Sequence, residues 1–463
     1  MTRLDATVVG GGLAGSEAAW ALAERGVRVT LVEMRPAHRT PAHQTGRLAE
    51  LVCSNSFKSV DPENAHGLLK EELRALGSLL LPAADEARVP GGAALVVDRE
   101  IFSGLVDARL RSHPNVTVTA GEATALPRPG VVATGPLTSD ALARAIGTEL
   151  GTESLAFYDA IAPIVSAESL DAEVLYARSR WGKGDGDDYL NAPMSPPEYQ
   201  TFLAALKAAD QFTAHEFDQV PYFEGCLPVE EMARRGDETL RFGPMKPVGL
   251  RDPRTGKDPY AVVQLRREDR AGQMWNLVGF QTRLRIPEQQ RVFRMIPGLG
   301  QAEFLRFGSI HRNSYLNSPA VLEPGLRRSG SGGPVFFAGQ LTGVEGYTES
   351  LGTGLLAGIN LHRLLTGRPV AVPPPTTMLG GLYRYLADAD PKHFQPMNAN
   401  FGLLEPLPGA VRKSERRAAL VARARAEFSA WSETLGDDRI DRHRAALASG
   451  GSGAQPGERS AAE

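Results

Sequence analysis

A glycine motif near the start of the chain constrains the fold more than any other part of the sequence. An apolar segment ends at Val9, the motif Gly10-x-Gly12-x-x-Gly15 opens a helical pattern, and a second apolar segment ends in Glu33. Glycines at this spacing let the backbone approach a pyrophosphate at a helix N-terminus, and the later acid accepts hydrogen bonds from a ribose. The sequence therefore predicts a Rossmann-like α/β fold with a parallel sheet. The residues predicted to bind the dinucleotide are Gly10, Gly11, Gly12, Leu13, Ala14, Gly15 and Glu33.

A second glycine-rich segment, late in the chain, indicates which dinucleotide binds. FAD and NAD share the first motif, but a strand pattern at 335–338 here runs into a glycine turn and a small-residue helix expected to begin near Ser350. Backbone N–H groups of such a segment suit a flavin ring or its phosphates, so we expect FAD. The alternative is a helix that only packs closely through its glycines. The contacts expected from this segment are Gly339, Gln340, Ser350 and Thr353.

A nicotinamide cofactor has no comparable site in the sequence. Glu33 would place a negative charge beside the 2′-phosphate of NADP, and no second glycine fingerprint follows a strand. We therefore expect NAD(P)H to reach the flavin only transiently.

The composition excludes several kinds of site and compartment. The 463 residues include only two cysteines, Cys53 and Cys226, which lie too far apart for a C-x-x-C pair and offer no zinc ligand set. No apolar run is long enough to span a membrane, and no export signal is evident. We therefore expect a cytoplasmic protein that binds neither a metal nor a membrane.

The middle of the chain differs in character from both ends. Residues 166–309 contain Pro-rich connectors, a polar Gly/Asp turn at 182–188 and alternating strand-like runs. We expect this region to be a smaller α+β domain inserted into a discontinuous FAD-binding domain formed by residues 1–165 and 310–447. Residues 448–463 lack apolar periodicity and are expected to form a disordered tail.

Six further segments make the chain resemble a known family. They are LVCSNSFKS at 51–59, VVATGP at 131–136, PYFEGCLPVEE at 221–231, GPMKPVGL at 243–250, HRNSYLNSP at 311–319 and AGQLTGVEGYTES at 338–350. With the first glycine motif, they resemble the folate- and FAD-dependent tRNA (uracil-5-)-methyltransferases, which are related to the GidA-type tRNA-modifying flavoproteins. The resemblance implies that 5-methyluridine forms in the T-loop of tRNA, with carbon from methylenetetrahydrofolate and reducing equivalents from NAD(P)H.

The resemblance also gives the two cysteines separate roles. Uracil C5 becomes nucleophilic only after a group adds to C6, and a thiolate suits this reversible addition. Cys226 resembles the family's C6 nucleophile, and the resemblance places Cys53 near the flavin. The Ser-Asn-Ser that follows Cys53 is expected to cap a helix start that would activate the sulfur. Without the family motifs, either cysteine would equally suit a buried, inert position.

The folate and the RNA each need their own contacts. A pterin needs a flat aromatic partner opposite the flavin, for which His311 is the first candidate and Tyr347 the second. The net charge of −3 conceals a basic region, because residues 231–312 contain 16 Lys and Arg against 9 Asp and Glu. This region is expected to contact tRNA phosphates. Its basic residues are Arg234, Arg235, Arg241, Lys246, Arg251, Arg254, Lys257, Arg266, Arg267 and Arg270.

A second basic cluster near the end of the chain has two interpretations. Its members are Arg412, Lys413, Arg416, Arg417, Arg423 and Arg425. Their helical spacing predicts a basic stripe that contacts tRNA, but it equally suits a solvated helix face. Lys246 and Glu345 are further conceivable pocket residues.

Two other functions stay open on the sequence alone. The glycine fingerprint by itself suits a small-molecule FAD oxidoreductase, which would leave the basic insert and Cys226 without a role. A flavin-containing tRNA-binding protein without catalysis would leave both cysteines dispensable.

Overall fold

The computed structural model of the chain describes residues 4–40, 42–151, 155–212, 227–409 and 411–435, with 155–160 and 310–313 described by their backbone alone. The strands of this part are β1 (Asp5–Val9), β2 (Arg28–Glu33), β3 (Ser56–Ser59), β4 (Arg88–Val89), β5 (Ala94–Val97), β6 (Val116–Ala120), β7 (Gly130–Val132), β8 (Leu155–Ile161), β9 (Ile164–Ser166), β10 (Tyr176–Ala177), β11 (Tyr189–Met194), β12 (Ala261–Arg267), β13 (Met274–Leu277), β14 (Phe304–Arg306), β15 (Ser309–Tyr315), β16 (Arg327–Arg328) and β17 (Val335–Phe337). Its α-helices are α1 (Leu13–Ala23), α2 (Ala65–Ala75), α3 (Leu80–Glu86), α4 (Arg99–Ser112), α5 (Asp140–Leu150), α6 (Pro196–Ala208), α7 (Val229–Arg234), α8 (Thr239–Phe242), α9 (Ile286–Phe293), α10 (Ser318–Val321), α11 (Tyr347–Leu365), α12 (Met378–Asp388) and α13 (Arg416–Thr434).

A six-stranded, mainly parallel sheet carries the first glycine motif. Its strand order is β16-β17-β7-β1-β2-β6, and only the edge pair β16–β17 is antiparallel. Strands β7 and β17 are buried along their whole length, whereas β1 and β2 alternate buried apolar residues, such as Val8, Val29 and Leu31, with more exposed positions. Strands β1, β7 and β17 run directly into Gly10, the Thr134-Gly135 turn and Gly339, so the three glycine turns meet at one edge. The prediction of a Rossmann-like α/β fold is confirmed.

Helix α11 packs directly against helix α1 through glycines. A Cβ atom added at Gly354 would lie 2.1 Å from the carbonyl oxygen of Ala14, and one added at Gly358 would lie 2.6 Å from that of Ala18. The two backbones therefore approach more closely than any side chain would permit. The end of the chain thus fixes the helix that follows the first glycine motif.

Substitution of Gly354 by alanine is expected to destabilise the protein by about 1–3 kcal/mol, because the new methyl group would push the two helices apart. Gly104→Ala is the matched control, since Gly104 is also a helical glycine but its added Cβ would meet nothing within 4 Å. That variant should be stabilised by about 0.5–1 kcal/mol through lower backbone entropy. Urea unfolding of both variants and of the unaltered protein measures these free energies of unfolding. Equal free energies of unfolding for Gly354→Ala and Gly104→Ala would contradict the expectation.

A second six-stranded sheet, entirely antiparallel, occupies the middle of the chain. Its strand order is β10-β11-β12-β13-β9-β14, and helices α6, α7 and α9 contribute to its separate hydrophobic core. The largest fully buried side chains of this core are Tyr199, Phe202, Phe280 and Phe293, and Trp275 is buried beside them. The chain passes from the parallel sheet to this sheet through β8 and returns through β15, and these two strands pair with each other in antiparallel register.

The extent of the antiparallel sheet can be compared with the predicted limits of the inserted domain. The antiparallel sheet extends from Ile164 to Arg306, while the domain limits at 166 and 309 stay a prediction. The tail expected at 448–463 lies outside the described residues. In the part of the chain that is described, no helix combines the length and apolarity needed to cross a membrane, and no group of three or more metal-ligating side chains occurs.

Candidate functional site

The first glycine motif forms an open turn at the N-terminus of α1. Gly10 has a φ of +100°, and a Cβ atom there would lie 2.5 Å from the carbonyl oxygen of Ala133. Gly12 caps the helix without a side-chain hydrogen bond, and a Cβ there would meet nothing within 4 Å. A small cavity of about 70 Å³ adjoins this turn and is also lined by Glu33. The turn thus offers backbone N–H groups and open space to a phosphate.

Glu33 is buried beside the turn and is held ionised. Its carboxylate accepts hydrogen bonds from the Gly11 backbone N–H at 2.7 Å and from Nε of Arg35 at 2.8 Å. Burial alone would raise its pKa, but Arg35 and the two backbone N–H groups of Arg35 and Gly11 hold the pKa of Glu33 below its ordinary value. Arg35 is itself buried and also contacts Glu50 at 3.1 Å. Glu33 is therefore a fixed acceptor at the end of β2.

Glu33→Gln is expected to weaken dinucleotide binding by about tenfold or more, because a charged acceptor becomes neutral and one oxygen becomes a donor. Titration of the apoprotein with FAD, followed by flavin fluorescence, measures this change. Glu50→Gln is the matched control, since Glu50 shares Arg35 but does not line the cavity. Equal FAD affinities of Glu33→Gln and the unaltered protein would contradict the role of Glu33.

The late glycine segment begins its helix earlier than predicted. Helix α11 starts at Tyr347 rather than near Ser350, and both Ser350 and Thr353 are buried within it. The Thr353 hydroxyl accepts a hydrogen bond from the Gly339 backbone N–H at 2.8 Å and thereby fixes the turn after β17. Gln340 lines the neighbouring pocket and donates to Glu345 at 2.6 Å. Thr353 therefore supports the turn, Ser350 is buried within the helix, and Gln340 lines the pocket.

The pocket lies between the two sheets and is the larger of the two cavities near the glycine turns. It has a volume of about 310 Å³ and shares Leu137 with the small cavity beside Glu33. The parallel-sheet side contributes Cys53, Gln340 and Tyr347, and the antiparallel sheet contributes Arg266 and Asn276. The sequence-predicted Cys53, Gln340 and Tyr347 thus lie in one site.

Two arginines and a tyrosine hold the Cys53 loop in place. Arg99 donates to the carbonyl oxygens of Leu51 and Cys53, the latter at 2.8 Å, and Arg306 donates to that of Val52 at 3.1 Å. The Tyr347 hydroxyl accepts from the Cys53 N–H at 3.0 Å and donates to the Ser54 carbonyl at 2.8 Å. Nothing in the sequence around Arg99 or Arg306 indicates this role, which depends on long-range contacts.

The two arginines also concentrate positive charge behind Cys53. Arg99 pairs with the buried carboxylate of Glu268 at 2.6 Å. Burial and the neighbouring charge of Arg99 lower the pKa of Arg306. The Cys53 loop therefore packs against two cations and a single buried anion.

The helix start predicted after Cys53 is wrong. Residues 56–59 form strand β3, and the next helix begins at Ala65. The Ser54 and Ser56 hydroxyls accept from backbone N–H groups two residues onward and so stabilise turns. Buried Asn55 instead joins the loop to the antiparallel sheet, through Arg266 at 3.0 Å and the carbonyl of Arg267 at 2.9 Å.

A buried ionic cluster borders the pocket at the start of α11. Lys58, which lines the pocket with a φ of +63°, donates to Asn398 at 2.6 Å and lies 3.9 Å from Glu349. Burial would raise the pKa of Glu349, but Lys58, His66 and the Ala399 N–H lower it to about 2. No local sequence pattern indicates this cluster, because its members come from distant segments.

Two predicted residues cannot be placed by their side chains. Cys226 lies outside the described residues, as does the side chain of His311, whose backbone pairs with Asp159 across the β8–β15 ladder. Lys246, named as a conceivable pocket residue, is exposed and is not among the pocket-lining residues, whereas Glu345 does line the pocket.

Most basic residues of the antiparallel unit are exposed, and several also pair with an acid, as Arg254 does with Asp252 at 2.8 Å and Arg234 with Glu231 at 3.4 Å. Arg241 pairs with Glu238, and Arg266 is buried against Asn55. Arg267 lies with its guanidinium 5.4 Å from the centre of the Trp275 ring. The exposed members are Arg234, Arg235, Lys246, Arg251, Arg254, Lys257 and Arg270.

The second basic cluster does not form the predicted stripe. Helix α13 begins at Arg416, so the helical spacing predicted for Arg412 and Lys413 is wrong. Arg423 donates to the carbonyl of Pro406 at 2.9 Å, and Arg425 pairs with Glu71 at 2.7 Å. These two arginines join α13 to its neighbours in the fold.

Comparison with known proteins places the chain in a family. A family model described as glucose inhibited division protein A matches residues 5–369. The methylenetetrahydrofolate–tRNA-(uracil-5-)-methyltransferase TrmFO of Geobacter sulfurreducens is 58% identical over 431 residues, which are 93% of this chain and 99% of that protein. The protein of the same name from Myxococcus xanthus is 55% identical over 431 residues, covering 92% and 94%.

Solved structures show the same fold. The form II crystal structure of Aquifex aeolicus GidA matches with a TM-score of 0.66 at 16% identity, covering 96% of this chain and 76% of that chain. The form I structure matches with a TM-score of 0.62 at 16% identity, covering 92% and 76%. The fold, the extent of the family match and the identity to these relatives lead to one conclusion: the chain belongs to the GidA family and, within it, to the methylenetetrahydrofolate–tRNA-(uracil-5-)-methyltransferases.

Proposed function

We propose that the protein methylates C5 of a uridine in the T-loop of tRNA, with carbon from methylenetetrahydrofolate, bound FAD and NAD(P)H as the reductant. One observation carries the proposal. The pocket of about 310 Å³ brings Cys53 and Tyr347 together at the edge of the parallel sheet where the glycine turns lie, and it adjoins the cavity beside Glu33. The names of the relatives support the substrate and the carbon donor.

The residues at this edge fit FAD. Gly12 leaves open space at an uncapped helix N-terminus, where a pyrophosphate would bind, and Glu33 is an ionised acceptor for a ribose. Gln340 and the first residues of α11 line the adjoining pocket, where the flavin ring would lie. When bound, FAD supplies the two-electron chemistry that converts a methylene unit into a methyl group.

Cys226 is proposed to activate the uracil. Its thiolate forms a bond to C6, and the electron pair of the C5–C6 double bond moves toward the C4 oxygen as an enolate. C5 then forms a bond to the methylene carbon of the folate. Loss of the C5 proton expels the tetrahydrofolate nitrogen from that carbon and leaves an exocyclic methylene on the thiol adduct. Addition of hydride to this methylene gives the methyl group and an enolate, which expels the Cys226 thiolate and restores the ring. The two electrons needed to reach the methyl level come from NAD(P)H.

Cys53 and Tyr347 are proposed to act on the flavin side of the pocket. The Tyr347 hydroxyl bridges the backbone on both sides of the Cys53–Ser54 bond, so the thiol has a fixed position at the pocket wall. A rigid group so placed can orient a reactant and exclude water from it. Tyr347 and His311 remain candidates for the pterin contact.

One assay tests the proposed function. The FAD-loaded protein is incubated with unmodified tRNA, NADPH and methylenetetrahydrofolate labelled in the methylene carbon, and the tRNA is digested to nucleosides. We expect label in 5-methyluridine, and omission of NADPH should reduce it strongly. Bound tRNA without label would instead support a non-catalytic flavoprotein, and the absence of tRNA binding would support a small-molecule oxidoreductase.

A further inference from the structure

The segment GPMKPVGL at 243–250 forms a loop on the antiparallel sheet that the proposed chemistry leaves without a role. Trp181 and Arg180 hold this loop. The Trp181 N–H donates to the Gly249 carbonyl at 3.2 Å, and the Arg180 guanidinium donates to the carbonyls of Lys246, at 2.9 Å, and of Val248. The Trp181 ring lies against Gly249, where a Cβ atom would be 2.8 Å from the indole. The loop and the indole therefore form one surface.

The surface exposes an aromatic ring that proteins normally bury. Trp181 is 66% exposed and Val248 is 49% exposed. Trp181 also has a φ of 60°, a conformation that bulky side chains rarely adopt. An exposed indole in such a conformation suggests a contact that is made only when a partner binds.

The surface formed by Trp181 and the loop at 243–250 adjoins the wall of the pocket. Arg266 lines the pocket, and Gln264 lies two residues before it on the same face of β12. Two residues of a strand span roughly 7 Å. The Arg180 guanidinium lies 3.1 Å from the Gln264 oxygen, so it connects the pocket face to Trp181.

A second contact supports this continuity. Gly279 lines the pocket, and a Cβ atom there would lie 2.6 Å from Pro244. The loop at 243–250 therefore packs against the pocket wall at one end and against Trp181 at the other.

The charge around the indole suits a nucleic acid. Residues 180–188, which carry the indole, and residues 241–258, which include the loop, together contain seven Lys and Arg and five Asp, and Lys246 is exposed on the loop itself. An exposed aromatic ring flanked by cations is typical of surfaces that stack single-stranded bases. A stable protein partner would instead require an apolar area on the order of several hundred Å² per partner, much more than one indole and one valine provide.

We propose that Trp181, with Val248 and Lys246, stacks a tRNA base next to the uridine that enters the pocket. The inference rests on the proposed function. A uridine drawn out of a folded loop loses its stacking, as do its neighbours, and an exposed indole just outside the pocket restores a stacking partner to one of them. The indole supplies the stacking and Lys246 supplies a phosphate contact.

Binding of labelled tRNA to the FAD-loaded protein tests the proposal. Trp181→Ala should weaken binding by about 5- to 150-fold, and Trp181→Phe should restore most of it. Phe242→Ala is the matched control, because Phe242 is 78% exposed in the same sheet unit but borders a shallow cavity with Asp237 and Glu238. It should bind tRNA like the unaltered protein.

The salt dependence separates stacking from phosphate contact. Trp181→Ala should leave the slope of log Kd against log salt concentration unchanged, whereas Lys246→Ala should reduce it by about one unit. Reduction of the flavin by NADPH without tRNA should stay at the unaltered rate in Trp181→Ala, which verifies the fold.

Three results would overturn the inference. They are unaltered tRNA binding by Trp181→Ala, an equal loss in Phe242→Ala, and a reduced salt slope in Trp181→Ala. Failure of the proposed function can be distinguished from failure of this inference, because the tRNA-binding comparison does not require methyl transfer. Label absent from 5-methyluridine with Trp181-dependent binding would reject the enzyme activity alone, and no tRNA binding by the unaltered protein would reject both.

Discussion

Cys226→Ala is expected to abolish both 5-methyluridine formation and the covalent complex with tRNA that carries 5-fluorouridine. The fluorine cannot leave C5 as the proton does, so the C6–S bond stays intact and the adduct accumulates in the unaltered protein. Removal of the nucleophile should lower methylation by more than about a thousandfold. A gel shift that survives denaturation measures the adduct, and labelled methylenetetrahydrofolate measures turnover.

Cys53→Ala separates the two cysteines in the same assay. We expect this variant to lose methylation but to keep the adduct, because Cys53 is proposed to act on the flavin side of the pocket. Ser54→Ala is the control, since Ser54 lines the same pocket and follows directly in the loop. An adduct that persists in Cys226→Ala and is lost in Cys53→Ala would reverse the two roles.

Arg99→Lys is expected to reduce methylation at least tenfold without loss of the fold. Lysine keeps a cation beside Glu268, but it lacks the planar fork with which Arg99 reaches the carbonyls of Leu51 and Cys53. The Cys53 loop should therefore lose a fixed position. Arg99→Ala removes the cation as well, and it should also destabilise the protein by about 3–5 kcal/mol, because the buried Glu268 carboxylate loses its 2.6 Å partner and keeps the guanidinium of Arg266 at 4.0 Å.

A thiol readout distinguishes positioning from stability. In a Cys226→Ala background, Cys53 is the sole thiol, and its alkylation rate reports how firmly the loop holds it. We expect faster alkylation of Cys53 when Arg99→Lys is added to this background. With Cys226 intact, the Arg99→Lys variant should have a lower kcat with little change in the KM for tRNA. A lower melting temperature with unaltered alkylation and kcat would assign Arg99 a structural role only.

The local sequence patterns correctly predicted the strands and the turn at the edge of the parallel sheet where the glycine turns meet. The apolar strands, the glycine turn and Glu33 are consecutive in the chain, and their spacing alone determines how they fold. Gln340 and Tyr347 were also found, because they belong to a motif that follows a buried strand. The strands, the glycine turn and Glu33 depend on contacts within one βαβ unit, whereas Tyr347 contacts Cys53 and Ser54 across 294 and 293 residues.

The parts that the sequence did not predict depend on contacts between distant segments. Arg99 reaches a loop 46 residues earlier, and Arg306 reaches the same loop from a position 254 residues later. Neither arginine differs locally from an exposed one. The helix expected after Cys53 was wrong for a related reason, since Ser and Asn residues cap helices and stabilise turns equally well, and here the pairing of β3 with β5 decides between them.

The contact between α1 and α11 also has a consequence for how the protein is made. The first glycine motif leaves the ribosome early, but the helix that packs on α1 ends at Leu365, and strand β17 completes the sheet only shortly before it. At a synthesis rate of about 5–20 residues per second, the delay is on the order of half a minute. Throughout that time the small apolar face of α1 has no permanent cover. A nascent chain that stops before Val335 is therefore expected to be unable to retain FAD, and the cofactor should enter only when translation is nearly finished.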